Sequence, residues 1–340
     1  MNRKKSFRVF LGGSVLLSVL GCGQGATGVL ATGDKGQEGK PEFSGAALAT
    51  AVGAGLDAGA GERRVCQGKA ALAGDQTRTL ESGGLTRTYL VHLPTGYDPT
   101  RPTPLVLNFH GYSSNATEQK FYTKMREKSD SAGFVAVHPE GVGKPQSWNA
   151  GLCCGEAVKK QVDDVAFVSA MLDAIEDELC IDPDRVFATG MSNGGFMTNR
   201  LACDLSDRIA AFAPVAGQNL TRTCTPSHPV AVLHFHGTAD STVPYEGDPD
   251  SNWPSVPTSL AAWAQRDGCA TSPIELSTTI DSRCESWPTC QEGSEVILCT
   301  VQDGAHTWPG GLDIPLLGYV SKTLLATDLM WDFFQRHPRG

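Results

Sequence analysis

The chain reads as an α/β protein, a largely parallel sheet with helices on both faces, and three observations predict this. Short β-rich apolar runs alternate with amphipathic helical stretches, the domain they build is about 270 residues long, and no internal repeat interrupts it. The runs Thr86–Leu93, Leu105–His110 and Phe134–His138 are the first strands. Val168, Met171, Leu172, Ile175 and Leu179 then recur at three- and four-residue spacing, one face of a helix. Arg185–Thr189 is a strand, Asn193–Cys203 a helix, and Ala211–Val215 and Val230–Phe235 are strands again. Leu260–Arg266 reads as helix, Glu295–Val301 as strand and Lys322–Arg336 as the closing helix. Strand and helix alternating in this way call for parallel pairing with both sheet faces covered.

Two segments precede this domain. Arg3, Lys4, Lys5 and Arg8 form a basic start, an apolar run follows from Val9 to Leu20, and Gly21-Cys22 closes it. That is the layout of a signal peptide over residues 1–22, and Val19-Leu20-Gly21-Cys22 resembles a bacterial lipobox in which Cys22 is lipidated. Simple cleavage without lipidation is the alternative. Residues 23–62 are dominated by Gly and Ala and read as a flexible linker, leaving 63–340 as the folded domain. The chain has 11 Cys, and setting Cys22 aside leaves ten, an even number that suits a disulfide framework in an oxidising compartment. Their spacing does not form two CxxC pairs, so neither metal nor cofactor is expected. Cys153 and Cys154 are adjacent and are each expected to pair with a distant partner. The net charge is −9, and it falls to −13 once the four basic residues of the signal are removed, since that segment contains no acid. Such acidity argues against a nucleic-acid partner.

Chemistry concentrates at Gly190-Met191-Ser192-Asn193-Gly194, which fits G-x-S-x-G between a strand and a helix. Flanking glycines permit the sharp turn that exposes a serine hydroxyl, and the helix start supports negative charge developing beside it. A serine hydroxyl needs a histidine to accept its proton and a carboxylate to orient that histidine. His306 lies in the turn-rich stretch Asp303–Gly310 directly after the last strand and is the candidate base, with His236 as runner-up. Asp240 ends His236-Gly237-Thr238-Ala239-Asp240, just past a strand, and is the candidate acid. Asp267 and Asp303 are the substitutes, Asp303 being the better candidate for shaping the His306 turn. Two backbone donors for an oxyanion are expected at Asn193 and, after His110-Gly111, at Tyr112. His110 itself reads as a buried side chain fixing that loop. Trp148 and Trp308 are expected to wall the substrate pocket, and Asp163-Asp164 to cap a helix.

Taken together, Arg87–Val91, Pro104–Gly111, Ser147-Trp148-Asn149, Cys153-Cys154-Gly155, Val162–Val165, Gly190–Gly195, His236–Asp240 and His306–Gly310 resemble the polyhydroxybutyrate depolymerase and feruloyl esterase family, extracellular serine esterases related to carbohydrate esterase family one. The resemblance covers roughly Gly83 to Arg336. It implies the α/β-hydrolase fold, carries Ser192, Asp240 and His306 over as a catalytic triad, and implies an ester substrate, either hydroxycinnamoyl esters of plant polysaccharide or hydroxyalkanoate polyesters. Acetylxylan is a third substrate, and a non-catalytic surface binding protein a reading of another class. The chain is expected to work as a monomer on a polymer-linked ester, touching a membrane only through the N-terminal lipid.

Overall fold

The computed structural model describes residues 66–339, all within one compact unit, Asp57–Gly340. The signal segment, Cys22 and the 23–62 linker lie outside the described residues. Ten strands among the described residues form one sheet. In chain order they are β1 Gly74–Ser82, β2 Leu85–Leu93, β3 Thr103–Phe109, β4 Val135–Pro139, β5 Ile181–Met191, β6 Ala211–Val215, β7 Ala231–Gly237, β8 Ile274–Thr278, β9 Ser282–Trp287 and β10 Val296–Val301. Across the sheet the order is β1-β2-β4-β3-β5-β6-β7-β10-β9-β8. The six central strands, β4 to β10, pair in parallel, and an antiparallel pair closes each edge.

Among the described residues seven α-helices accompany the sheet: α1 Ala116–Tyr122, α2 Met125–Ala132, α3 Gly155–Lys159, α4 Asp164–Glu178, α5 Asn193–Asp204, α6 Val256–Arg266 and α7 Ala326–Arg336. Two apolar clusters show why both faces are covered. Alternate residues of a strand point to opposite faces. Leu105, Leu107 and Phe109 of β3 join α4, α5 and α6 in one cluster, whereas Val106 joins α2 and α7 in the other. The central strands are buried on both sides, which explains their nearly continuous apolar sequence. This is the α/β-hydrolase fold. No helix among the described residues is long and apolar enough to cross a membrane.

Five disulfides join Cys66–Cys180, Cys153–Cys154, Cys203–Cys224, Cys269–Cys290 and Cys284–Cys299. The adjacent Cys153 and Cys154 therefore bond to each other, against expectation. The peptide between them is cis, their Cα atoms are 3.1 Å apart, and the other eight cysteines are already paired among themselves. Asp164 also departs from its expected role. Asp163 caps α4 by accepting the Ala166 N–H, but Asp164 is fully buried and ion-pairs with Arg87 at 2.8 Å. The Arg87 guanidinium lies 3.9 Å from the Phe167 ring centroid, and the second Asp164 oxygen accepts the Asn149 N–H. A buried charge needs such a partner.

Candidate active site

Four parallel strands deliver the candidate residues to one edge of the sheet. β3 ends at the His110-Gly111-Tyr112 loop, β5 at Ser192, β7 three residues before Asp240 and β10 five residues before His306. Because these strands are parallel, all four groups gather at their carboxyl ends.

Ser192 sits between β5 and α5 with φ 58° and ψ −119°, a backbone conformation few L-residues adopt. Its N–H donates to the Val215 carbonyl at 2.9 Å, and its own carbonyl accepts the Phe196 N–H. The turn is tight enough that a Cβ on Gly190 would fall 2.6 Å from the Gly194 carbonyl oxygen, and one on Gly194 would collide with the Phe109 carbonyl. Asn193 opens α5, so its N–H has no intrahelical acceptor. The Tyr112 N–H likewise has no acceptor among the described residues. A Cβ added to Gly111 would lie 3.3 Å from the Ser192 Cβ, so the loop bearing Tyr112 runs alongside the serine.

Asp240 is buried, and one of its oxygens accepts the Nδ1–H of His306 at 2.7 Å. Its other oxygen accepts the backbone N–H groups of Thr242 and Val243 at 2.9 and 2.8 Å. Burial alone would raise this carboxyl, but the hydrogen bonds from His236 and His306 outweigh it and hold the group well below the usual carboxylate range. The two loops meet because neither has a side chain at the crossing. A Cβ on Gly237 would strike the Gly304 carbonyl, which accepts the Ala239 N–H at 2.9 Å. Asp303, at φ 55°, turns the chain towards His306, and its N–H donates to the Thr238 hydroxyl.

The other candidates fall elsewhere. His236 is buried among Val243, Asp240 and His234 and does not line the cleft, so it cannot reach a substrate as base. Asp267 accepts the Val230 N–H at the opposite end of β7. His110 is fully buried, with Nδ1–H donating to the Gly111 carbonyl and Nε2 accepting the Gly141 N–H. Burial pushes it down to about 4, and it stays neutral.

Ser192 and His306 line a cleft of about 520 Å³ together with Tyr112, Phe121, Met191, Leu312, Ile314 and Leu317. Trp148 and Trp308 do not line it; both are fully buried. An indole this large, with its N–H satisfied inside the protein, is a structural pin. Trp148 donates its indole N–H to the His110 carbonyl, and its backbone N–H and C=O are both held by the Asn193 amide. It thus ties the oxyanion loop to the serine turn. Trp308 donates its indole N–H to Thr327 and its backbone N–H to the Tyr122 hydroxyl. The walls that sequence reasoning missed come from α1 and the 312–317 segment. The signal present was the apolar Leu312-Asp313-Ile314-Pro315-Leu316-Leu317 in a loop, where exposed apolar side chains have no core to serve.

Feruloyl esterase B of Piromyces equi is 31% identical over 234 residues, 65% of this chain and 42% of that protein, so the chain spans less than half of this relative's length. NocK of Nocardia uniformis subsp. tsuyamanensis, named as an esterase, is 30% identical over 283 residues, covering 75% of this chain and 81% of that protein. The chain belongs to the same esterase family as NocK. The family described as the prolyl oligopeptidase family also matches residues 123–228, the part of the α/β-hydrolase fold that includes the serine turn. An acetyl xylan esterase from Aspergillus awamori shares the fold with a TM-score of 0.56 at 13% identity, over 77% of this chain and 99% of that structure. The five disulfides among the described residues belong to an oxidising, extracytoplasmic environment.

Proposed function

We propose that the chain is a serine carboxylesterase releasing ferulate or a related hydroxycinnamate from esters of plant polysaccharide, with Ser192 as nucleophile, His306 as base and Asp240 as acid. The observation that carries this reading is an apolar cleft reaching both Ser192 and His306, with His306 bonded to a buried carboxylate behind it. A carboxylate only accepts, so His306 holds its proton on Nδ1 and leaves the Nε2 lone pair for the Ser192 hydroxyl. Ser192 Oγ attacks the ester carbonyl as its proton passes to Nε2. The oxyanion is met by the N–H groups of Tyr112 and Asn193. Nε2–H then protonates the departing sugar oxygen, and water repeats the cycle on the acyl-enzyme. Tyr112 and Phe121, both part-exposed on the cleft wall, suit a flat aromatic acyl group.

The exposed apolar rim, with Leu316 98% exposed, favours a second reading, hydrolysis of hydroxyalkanoate polyester. Assaying methyl ferulate, acetylated xylan and soluble hydroxybutyrate oligomers side by side tests both: kcat/KM highest on ferulate is expected, and a higher value on the oligomers overturns the choice. We read the enzyme further as an exported monomer tethered by a lipid on Cys22. Fatty-acid labelling that survives Cys22→Ala overturns the tether.

A further inference from the structure

Behind the Asp240–His306 pair lies a second pair of imidazoles with no assigned task. His234 and His236 stand two apart on β7 and so face the same side of the sheet. Both are buried, their rings are near-parallel at 10°, and His234 Nε2 is 3.1 Å from His236 Nδ1. His236 Nε2 lies 2.8 Å from the Val243 carbonyl oxygen and 3.4 Å from the Asp240 oxygen that also holds His306. A carbonyl oxygen only accepts, so the His236 proton is on Nε2. Its bare Nδ1 must then accept the Nε2–H of His234, which fixes the tautomers of both rings. His234, desolvated in the core, stays neutral. One Nε2–H therefore serves two ends of a single turn. It grips Val243, whose own N–H donates to Asp240, and it faces the carboxylate oxygen directly.

We propose that His236 is a positioning residue for ester hydrolysis, acting through Asp240: it locks the 240–243 turn and aims the carboxylate at His306, with His234 fixing its tautomer. The inference rests on the reading of Ser192, His306 and Asp240 as the triad. A loosened carboxylate would let the imidazole drift, and small misplacements of this kind cost up to about 100-fold in rate. Substrate binding would be untouched, since neither ring lines the cleft.

The test compares His236→Phe, His236→Gln and His234→Phe in the full-length protein on a soluble aryl ester, with Ser192→Ala as control. His236→Phe is expected to lower kcat about 10- to 100-fold while KM stays within about twofold. His236→Gln, whose amide N–H can take the place of Nε2–H, is expected to recover most of that loss, and His234→Phe to lose less than His236→Phe. The far-downfield proton resonance of the His306–Asp240 bond should broaden or vanish in His236→Phe and persist in His236→Gln. Full kcat in folded His236→Phe, or equal losses in folded Phe and Gln variants, overturns the proposal. Should His236→Phe fail to fold, a Gln variant that lacks both the resonance and the turnover overturns it alone. Activity surviving in Ser192→Ala would instead bring down the triad reading beneath it.

Discussion

At the scale of single residues, the aromatic rings near the serine turn divide by burial: Trp148 and Trp308 are enclosed in the core, whereas Phe121 stands exposed on the cleft wall. Ser192, Asp240 and His306 could be read as candidates because strand-to-turn context constrains the backbone, and backbone conformation leaves traces in Gly spacing. A loop position does not reveal which way a side chain turns, and both Trp148 and Trp308 turn inward, away from the pocket wall expected of them. Trp308→Ala should cost about 3–5 kcal/mol of stability, as large-to-small changes in a core do, without altering the preference among esters of the folded protein. Phe121→Ala should barely change the melting temperature, since the ring is 47% exposed. It should nonetheless lower kcat/KM on methyl ferulate about three- to tenfold more than on an acetyl ester, from an aromatic contact of about 0.5–1.5 kcal/mol. Thermal melts and paired kinetics on the two variants check this, and a specificity change in Trp308→Ala alone would restore the tryptophan wall.

Among the elements, the six parallel strands and β2 carry apolar runs that are readable, while the outer strands β1, β8 and β9 are not. β8 is exposed at all five residues and β1 alternates exposed with half-buried ones, so neither has an apolar pattern to detect. α1 and α2 bury only a few positions each and escaped for the same reason. The start of β7 supports a prediction of its own. Asp267 accepts the Val230 N–H there, its other oxygen is buried without a partner, and burial lifts its carboxyl to about 7 from an ordinary 3.8. The folded chain thus holds this proton more tightly than the unfolded chain. Its contribution is complete below the ordinary value and is lost as pH rises through about 7. Asp267→Asn removes the ionisation, so its melting temperature should rise relative to the parent between about pH 5 and about pH 8.5. A difference that stays constant across that range would show that Asp267 is not held protonated.

For the whole molecule, the even cysteine set announced a disulfide framework, but connectivity was beyond sequence because ten cysteines allow many pairings. With all ten bonded, folded protein should give no labelling of these cysteines by thiol reagent before reduction, as counted by mass. Two or more reactive thiols in the domain would contradict the framework. Reduction should lower the melting temperature sharply, because the Cys66–Cys180 bridge alone closes a separation of 114 residues, worth about 4–5 kcal/mol in the chain-entropy account. That bridge has a mechanical consequence. Cys180 immediately precedes β5, and Ser192 follows the far end of the same strand. A pull arriving through the residues before Cys66 is therefore handed to the base of the sheet's central strand, where hydrogen bonds to β3 and β6 share the load in shear. The serine turn sits at the unloaded end, so tension on the N-terminus would leave the catalytic geometry at rest.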